Sequence, residues 1–257
     1  MAKYILTGFI MATVLISCGD ITQEMWLKED GSGELHLAYD VSQMLALYKM
    51  MGDMSKDADE NQEDFVSELI DAIGANTGSL DSTLTFYDLM PEERGNFENP
   101  EHLKNIRLNV KANGEDSSVL IKVMIEFENF SQLDELVNML ADDETQDIKL
   151  SPTEQLPDFS QHFHFNRKYF EIKTYSLRQI VDDEKVKEID SDGMDISPDQ
   201  LMETGHFINI FHFPYRIKSC SNKKAEVNGN TVSIVRPLSE IAKMKEYPGL
   251  LVKFKKR

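Results

Sequence analysis

The sequence predicts an α+β fold in which a largely antiparallel sheet, built from β-hairpins, carries helices packed on one face. Two observations predict it. Runs in which apolar and polar residues alternate come in pairs, and each pair is joined by Gly- or Asn-rich turn residues, the mark of two antiparallel strands. After most of these pairs the apolar spacing switches from two to three and four, which is the helical period.

The elements follow in order. Residues 21–40, "ITQEMWLKEDGSGELHLAYD", are two extended runs around Asp30-Gly31-Ser32-Gly33, with Leu35, Leu37, Tyr39 and Val41 alternating toward a core. In 41–54, Leu45, Tyr48 and Met51 recur at helical spacing behind Ser42, a suitable N-cap. Residues 55–64 are acidic and lack an apolar anchor, so they read as an exposed loop. A second helix is expected where Phe65, Val66, Leu69, Ile70 and Ile73 form one stripe before Gly74. The same order recurs at 105–129, a hairpin around Asn113-Gly114, and at 130–143, a helix whose Ser131 and Asp134 are spaced as a capping box. A third copy places strands in 163–175, turning near Asn166-Arg167, before a helix over 176–189. The tail adds strands at 205–213 and 224–235, a short helix opened by Pro237, and a closing strand at 250–254. The three units are unequally spaced, so they share local order without forming a solenoid.

The first seventeen residues stand apart. Lys3, an apolar run from Tyr4 to Ile16 and the small Ser17 have the three parts of a signal peptide. The run is shorter than the roughly 20 apolar residues that span a bilayer, so it can direct export without remaining as an anchor. Leu15-Ile16-Ser17-Cys18 resembles the lipobox of bacterial lipoproteins. That resemblance implies cleavage before Cys18 and acylation, with palmitate or a similar chain, of its thiol and of the new amine. One acyl chain holds a protein marginally and two or more hold it stably, since each buried methylene contributes about 0.8 kcal/mol. The expected organisation is a signal peptide over 1–17 and a single envelope domain over 18–257, tethered through 18–20. Gly19, rather than Asp, follows the cysteine, which in enteric lipoproteins points to the outer membrane.

Lys3 is the charged residue of the excised segment, so its removal takes the net charge from −18 to −19. Such a surface repels phosphate backbones and argues against nucleic acid as a partner. It also repels anionic headgroups, which leaves membrane attachment to the acyl chains. With Cys18 lipidated, Cys220 is the one remaining cysteine. No internal disulfide can form, stability must come from the core, and Cys220 is expected to be a small packing residue near a strand end.

Three constellations invite a chemical reading. His162 and His164 share one side of an expected strand, and His206 and His212 share a side of another. Four imidazoles could hold a metal such as zinc if those strands paired. Phe163 and Phe165 supply the apolar face of the first strand, however, so solvated histidines are expected and no metal is assigned. Residues 188–199, with Glu188, Asp190, Asp192, Gly193 and Asp199, approach the spacing of a calcium loop. Glu188 stands where such loops begin with Asp and Asp195 where they need an aliphatic side chain, so an acidic turn is expected. The helices over 42–74 carry Met44, Met50, Met51 and Met54, and thioethers fill irregular gaps and adapt to varied partners. Met44, Leu45, Tyr48, Met51, Phe65 and Leu69 are the candidate lining of a ligand site between sheet and helices.

No Gly-x-Ser-x-Gly elbow, His-Glu-x-x-His, Cys-x-x-Cys or phosphate loop occurs. A non-enzymatic protein without a cofactor is expected. Two stretches, 27–42 and 212–238, resemble LppM-like lipoprotein domains and uncharacterised Bacteroidetes lipoproteins. The second carries the match at Phe213, Pro214, Asn222, Gly229, Asn230, Thr231 and Val232, and departs from it at Tyr215, where those domains have glycine. The resemblance covers about a fifth of the chain. It implies an α+β, membrane-anchored and lipid-binding protein without enzyme activity, and transfers no catalytic residue. A protein-interaction or scaffold role at the membrane is therefore expected, with a carrier of lipid or another apolar ligand as the alternative. Cys18→Ala is expected to leave the folded domain intact and to move it from the membrane to the soluble fraction, as fractionation and immunoblotting would show.

Overall fold

The computed structural model describes residues 19–42, 79–89, 91, 93–97, 99–113, 118–141, 156–177 and 205–256. Its main element is an eight-stranded sheet. The strands are β1 (Ile21–Leu27), β2 (Gly33–Asp40), β3 (Ser79–Thr85), β4 (Ile106–Asn113), β5 (Ser118–Phe127), β9 (His206–His212), β11 (Glu226–Asn228) and β12 (Thr231–Pro237). Their order is β11-β12-β9-β1-β2-β5-β4-β3. Every pair is antiparallel except β1 and β9, which run parallel from Ile21↔Phe207 to Trp26↔His212. The sheet is thus largely antiparallel, as expected, and the domain is α+β.

Each expected hairpin of the large sheet forms. β1 and β2 pair from Ile21↔Tyr39 to Leu27↔Gly33, and their turn closes on Gly31 at φ 91°. β4 and β5 pair from Ile106↔Ile125 to Asn113↔Ser118. β11 and β12 meet at Asn228↔Thr231, with Gly229 at φ 63°. Left-handed backbone of this kind suits glycine, which has no Cβ to clash.

The alternation of each strand sends one set of side chains to a common core. Met25 and Leu27, Leu35, Leu37 and Tyr39, Ile121, Val123 and Ile125, Phe211, and Val232 and Ile234 are all buried. This face is covered, among the described residues, chiefly by a second sheet, of β6 (Phe163–Phe165), β7 (Tyr169–Ile172), β10 (Ile217–Cys220) and β14 (Leu250–Phe254) in the order β10-β14-β7-β6. Among the described residues a second sheet thus joins the expected one. The reason is the density of phenylalanine in these short strands. Phe170 lies 5.4 Å from Phe211 and 5.1 Å from Phe213 between ring centroids, and Phe213 lies 5.1 Å from Phe254. Rings tilted by 45° to 57° at these separations interlock and fill the space between the two sheets.

Helices contribute at one end of this layer. Helix α1 (Phe130–Ala141) buries Leu133, Leu136 and Val137, and the single turn α2 (Phe159–His162) buries Phe159. The α1 cap is not the expected Ser131/Asp134 box. Asn129 Oδ1 accepts from the Gln132 N–H at 3.0 Å, and Gln132 Oε1 accepts from the Glu128 N–H at 2.6 Å. An Asn cap two residues earlier suits the break after β5, and it frees Asp134 to accept from the N–H groups of Phe159 and Ser160 at the start of α2. Helix α3 (Leu238–Lys243) follows Pro237 as expected, and β8 (Tyr175–Ser176) pairs with β13 (Glu246–Tyr247). Residue 176, expected to begin a helix, is therefore strand. Of the expected helices, 43–54, 65–74 and 178–189 lie outside the described residues, as does the acidic loop 188–199, while the expected N-cap Ser42 accepts from the Val119 N–H at 2.8 Å.

Phe170→Ala should lower the stability by about 3–5 kcal/mol, the range for truncating a fully buried aromatic ring. Urea denaturation followed by tryptophan fluorescence and circular dichroism measures it.

Candidate functional site

Burying one face of the large sheet turns the other outward, and the hairpin register decides what that face carries. Thr22, Glu24 and Trp26 of β1 lie beside Ala38, His36 and Glu34 of β2, and beside Ile208, Ile210 and His212 of β9. Trp26, the single tryptophan of the chain, is half-buried here among polar neighbours. Its ring stacks on His212 with centroids 4.9 Å apart and planes 6° from parallel. His36 packs against it at 4.3 Å and 54°.

Each imidazole is held by a carboxylate. The His212 ring has Nε2 2.7 Å from Glu24 Oε1 and Nδ1 3.1 Å from Thr231 Oγ1. His36 Nε2 lies 3.1 Å from Glu34 Oε2, while its buried Nδ1 has no hydrogen-bond partner. Burial pulls the His36 pKa below its ordinary value, opposed by the bond to Glu34 and reinforced by Lys122. His36 is thus held neutral against the indole. The five side chains form a preordered patch of ring and carboxylate, flanked by the partly buried Ile208, Ile210 and Met124.

A second polar group is enclosed at the opposite end of the strands. Arg236 is buried, donates to Glu240 Oε1 at 3.0 Å, and lies 5.6 Å from the Tyr247 ring. Tyr247 stacks on Tyr175 at 5.2 Å, and Tyr175 meets His162 at 5.3 Å. Burial pushes both phenols up in pKa. Asn209 and Gln23, adjacent in the β1/β9 register, are also buried in the core. Buried Tyr247, partly buried Tyr175 and an arginine paired with Glu240 make this a structural polar cluster, which fixes β13 and α3 against the sheet.

The expected sites fare unevenly. Cys18, Met44, Leu45, Tyr48, Met51, Phe65 and Leu69 lie outside the described residues. The four histidines do not converge. His164 is on β6 in the small sheet and His206 and His212 on β9 in the large one, and His162 ends α2 rather than entering the strand. Asp158 starts that helical turn by accepting from the Gln161 N–H, which withdraws His162 from strand geometry. Among the described residues no three His, Cys, Asp or Glu side chains cluster as a metal site. Cys220 ends β10 and packs, partly buried, against the core, as expected for a packing cysteine. Burial raises its thiol pKa. The Trp26 patch is not among the expected sites, yet the sequence carries a signal for it. With Leu35, Leu37 and Tyr39 pointing inward, hairpin alternation sends Trp26, Glu34 and His36 outward together.

No family model and no curated protein matches the chain. Among solved structures it is similar to the NMR structure of the folded domain of the Mycobacterium tuberculosis LppM protein, at 10% identity and a TM-score of 0.38, over 93% of this chain and 91% of that one. That neighbour is mycobacterial rather than from Bacteroidetes, and a likeness at this level assigns no activity.

The His36 shift carries a sign. The folded ring titrates below about 6.5, the ordinary value, so as pH falls through 6.5 the unfolded chain takes up its proton first and the folded state loses stability. The loss should continue down to the folded-state value and then level. His36→Gln removes this contribution, so subtracting its urea stability from that of the wild type between pH 7.5 and pH 5 should give a difference that changes within this window. A flat difference would mean that the folded ring titrates normally.

Proposed function

We propose that this chain is a non-enzymatic binding module of the cell envelope, held at a membrane by acyl chains on Cys18, in the outer membrane by the Gly19 criterion. In this reading it presents the open face of its large sheet to a protein partner. The observation that carries it is the Trp26 patch. Aromatic side chains on a rigid sheet, already stacked and hydrogen-bonded, lose little conformational freedom when a partner covers them. Tryptophan is also among the residues that most often dominate binding energy at protein interfaces. Neutral His36 and the paired carboxylates Glu24 and Glu34 offer directional hydrogen bonds around that anchor.

The space between the two described sheets is filled by the rings of Phe170, Phe211, Phe213 and Phe254. That supports an interaction role over a carrier that would hold a ligand between these sheets. The candidate ligand lining of 42–74 stands apart from this argument.

A photo-crosslinking amino acid at Ser233, on the open face, tests the reading in cells of the source organism. One discrete crosslinked species is expected from Ser233 and none from Lys253, on the exposed side of β14. Trp26→Ala should reduce the Ser233 product more than tenfold, because a tryptophan anchor contributes about 2 kcal/mol or more. Equal crosslinking from both positions, or a product insensitive to Trp26→Ala, would remove the open face as the docking surface.

A further inference from the structure

We infer that, of the two ends of the large sheet, the one formed by Gly19–Asp20, Asp40, Gly205–His206 and the start of α3 is the end nearer the lipid bilayer, with the Trp26 patch held at the far end of the same strands. This rests on acylation of Cys18. It follows from the absence of slack between that residue and the fold.

Gly19 is already packed into the sheet. A Cβ on it would fall 1.9 Å from the Asp40 carbonyl oxygen, and a Cβ on Gly205 would fall 2.7 Å from the Gly19 carbonyl oxygen. Two glycines and one backbone therefore meet at a separation no side chain would permit. Asp20 is fastened as well. Its carbonyl accepts from the Asp40 N–H at 3.2 Å, and its Oδ1 accepts from the His206 N–H at 2.9 Å and lies 3.1 Å from the ring Nδ1. From Ile21 onward β1 is paired on both sides. The tether expected over 18–20 thus shrinks to the bond between Cys18 and Gly19.

The consequence is geometric. Consecutive Cα atoms are about 3.8 Å apart, so acyl chains on Cys18 hold this end of the sheet within a few ångströms of the headgroups. Trp26 is seven residues along β1 from Gly19, or about 23 Å at roughly 3.3 Å per residue. His212 is its register partner, and His36 packs on the same ring. The patch therefore faces away from the lipid, where a protein in the envelope space can reach it. Asp20 and Asp40 at the near end carry the wrong sign to attract anionic headgroups, so the short covalent link, rather than charge, sets this orientation.

The test uses the full chain, processed in a bacterial host, purified from membranes and reconstituted into vesicles of phosphatidylethanolamine and phosphatidylglycerol carrying a headgroup nitroxide. In a Cys220→Ser background, a fluorophore is placed through Ser239→Cys on α3, near the proposed contact, or through Lys28→Cys in the β1–β2 turn at the far end. Strong quenching at 239 and at least fivefold weaker quenching at 28 are expected. Inserting ten Gly/Ser residues between Cys18 and Gly19 should keep the protein on the vesicles and remove the difference. Protein that floats with vesicles but quenches equally at both positions overturns the orientation while leaving the anchored reading intact. Protein that fails to float overturns both.

Discussion

The parallel pairing of β1 with β9 is the constraint on which the rest depends. It joins residues separated by 186 positions and places the first strand between its hairpin partner β2 and the strand pair near the end of the chain. Without it the β1–β2–β5–β4–β3 and β9–β12–β11 groups would be two sheets with open edges. With it they share one core face, onto which the phenylalanine-rich second sheet packs. Pairings of such long sequence separation form late and slowly, because the loop entropy must be overcome before the contact is gained. The close approach of Gly19, Gly205 and Asp40 locks the pairing at one end, and Trp26 stacked on His212 covers it at the other.

That arrangement explains how one strand serves three purposes. Its odd residues, Gln23, Met25 and Leu27, enter the core. Its even residues, Glu24 and Trp26, build the outward patch. Its first residues fix the fold to the expected lipid anchor. A strand with two neighbours can hold all three rigidly, whereas an edge strand would fray on one side.

Much of this was legible. Asp-Gly-Ser-Gly at 30–33, Asn113-Gly114 and the Asn-Gly-Asn of 228–230 each announce a tight turn, and alternation on either side fixed which residues enter the core. Local signals of this sort reach only as far as the next strand. They could not show that β1 meets β9, that the aromatic strands of 163–172 and 250–254 form a second sheet, or that Trp26 finds a second imidazole in His212. The caps show a subtler limit. Ser131 with Asp134 and Asn129 with Gln132 are both acceptable boxes by spacing, and the choice is settled by α2, whose N–H groups take Asp134. His162 departs from the expected strand for a related reason, since Asp158 starts a helical turn inside a segment whose aromatic alternation reads as strand.

Amide hydrogen exchange on the folded domain tests the central claim most directly. Met25 in β1 and Phe211 in β9 should exchange with the same opening free energy, equal to the global stability measured in urea, because the pairing makes both strands part of one cooperative unit. If β9 and β12 open well below the global value while β1, β2, β5 and β4 stay protected, the two groups are separate units, and the sheet that carries both the patch and the Gly19 end does not exist as described.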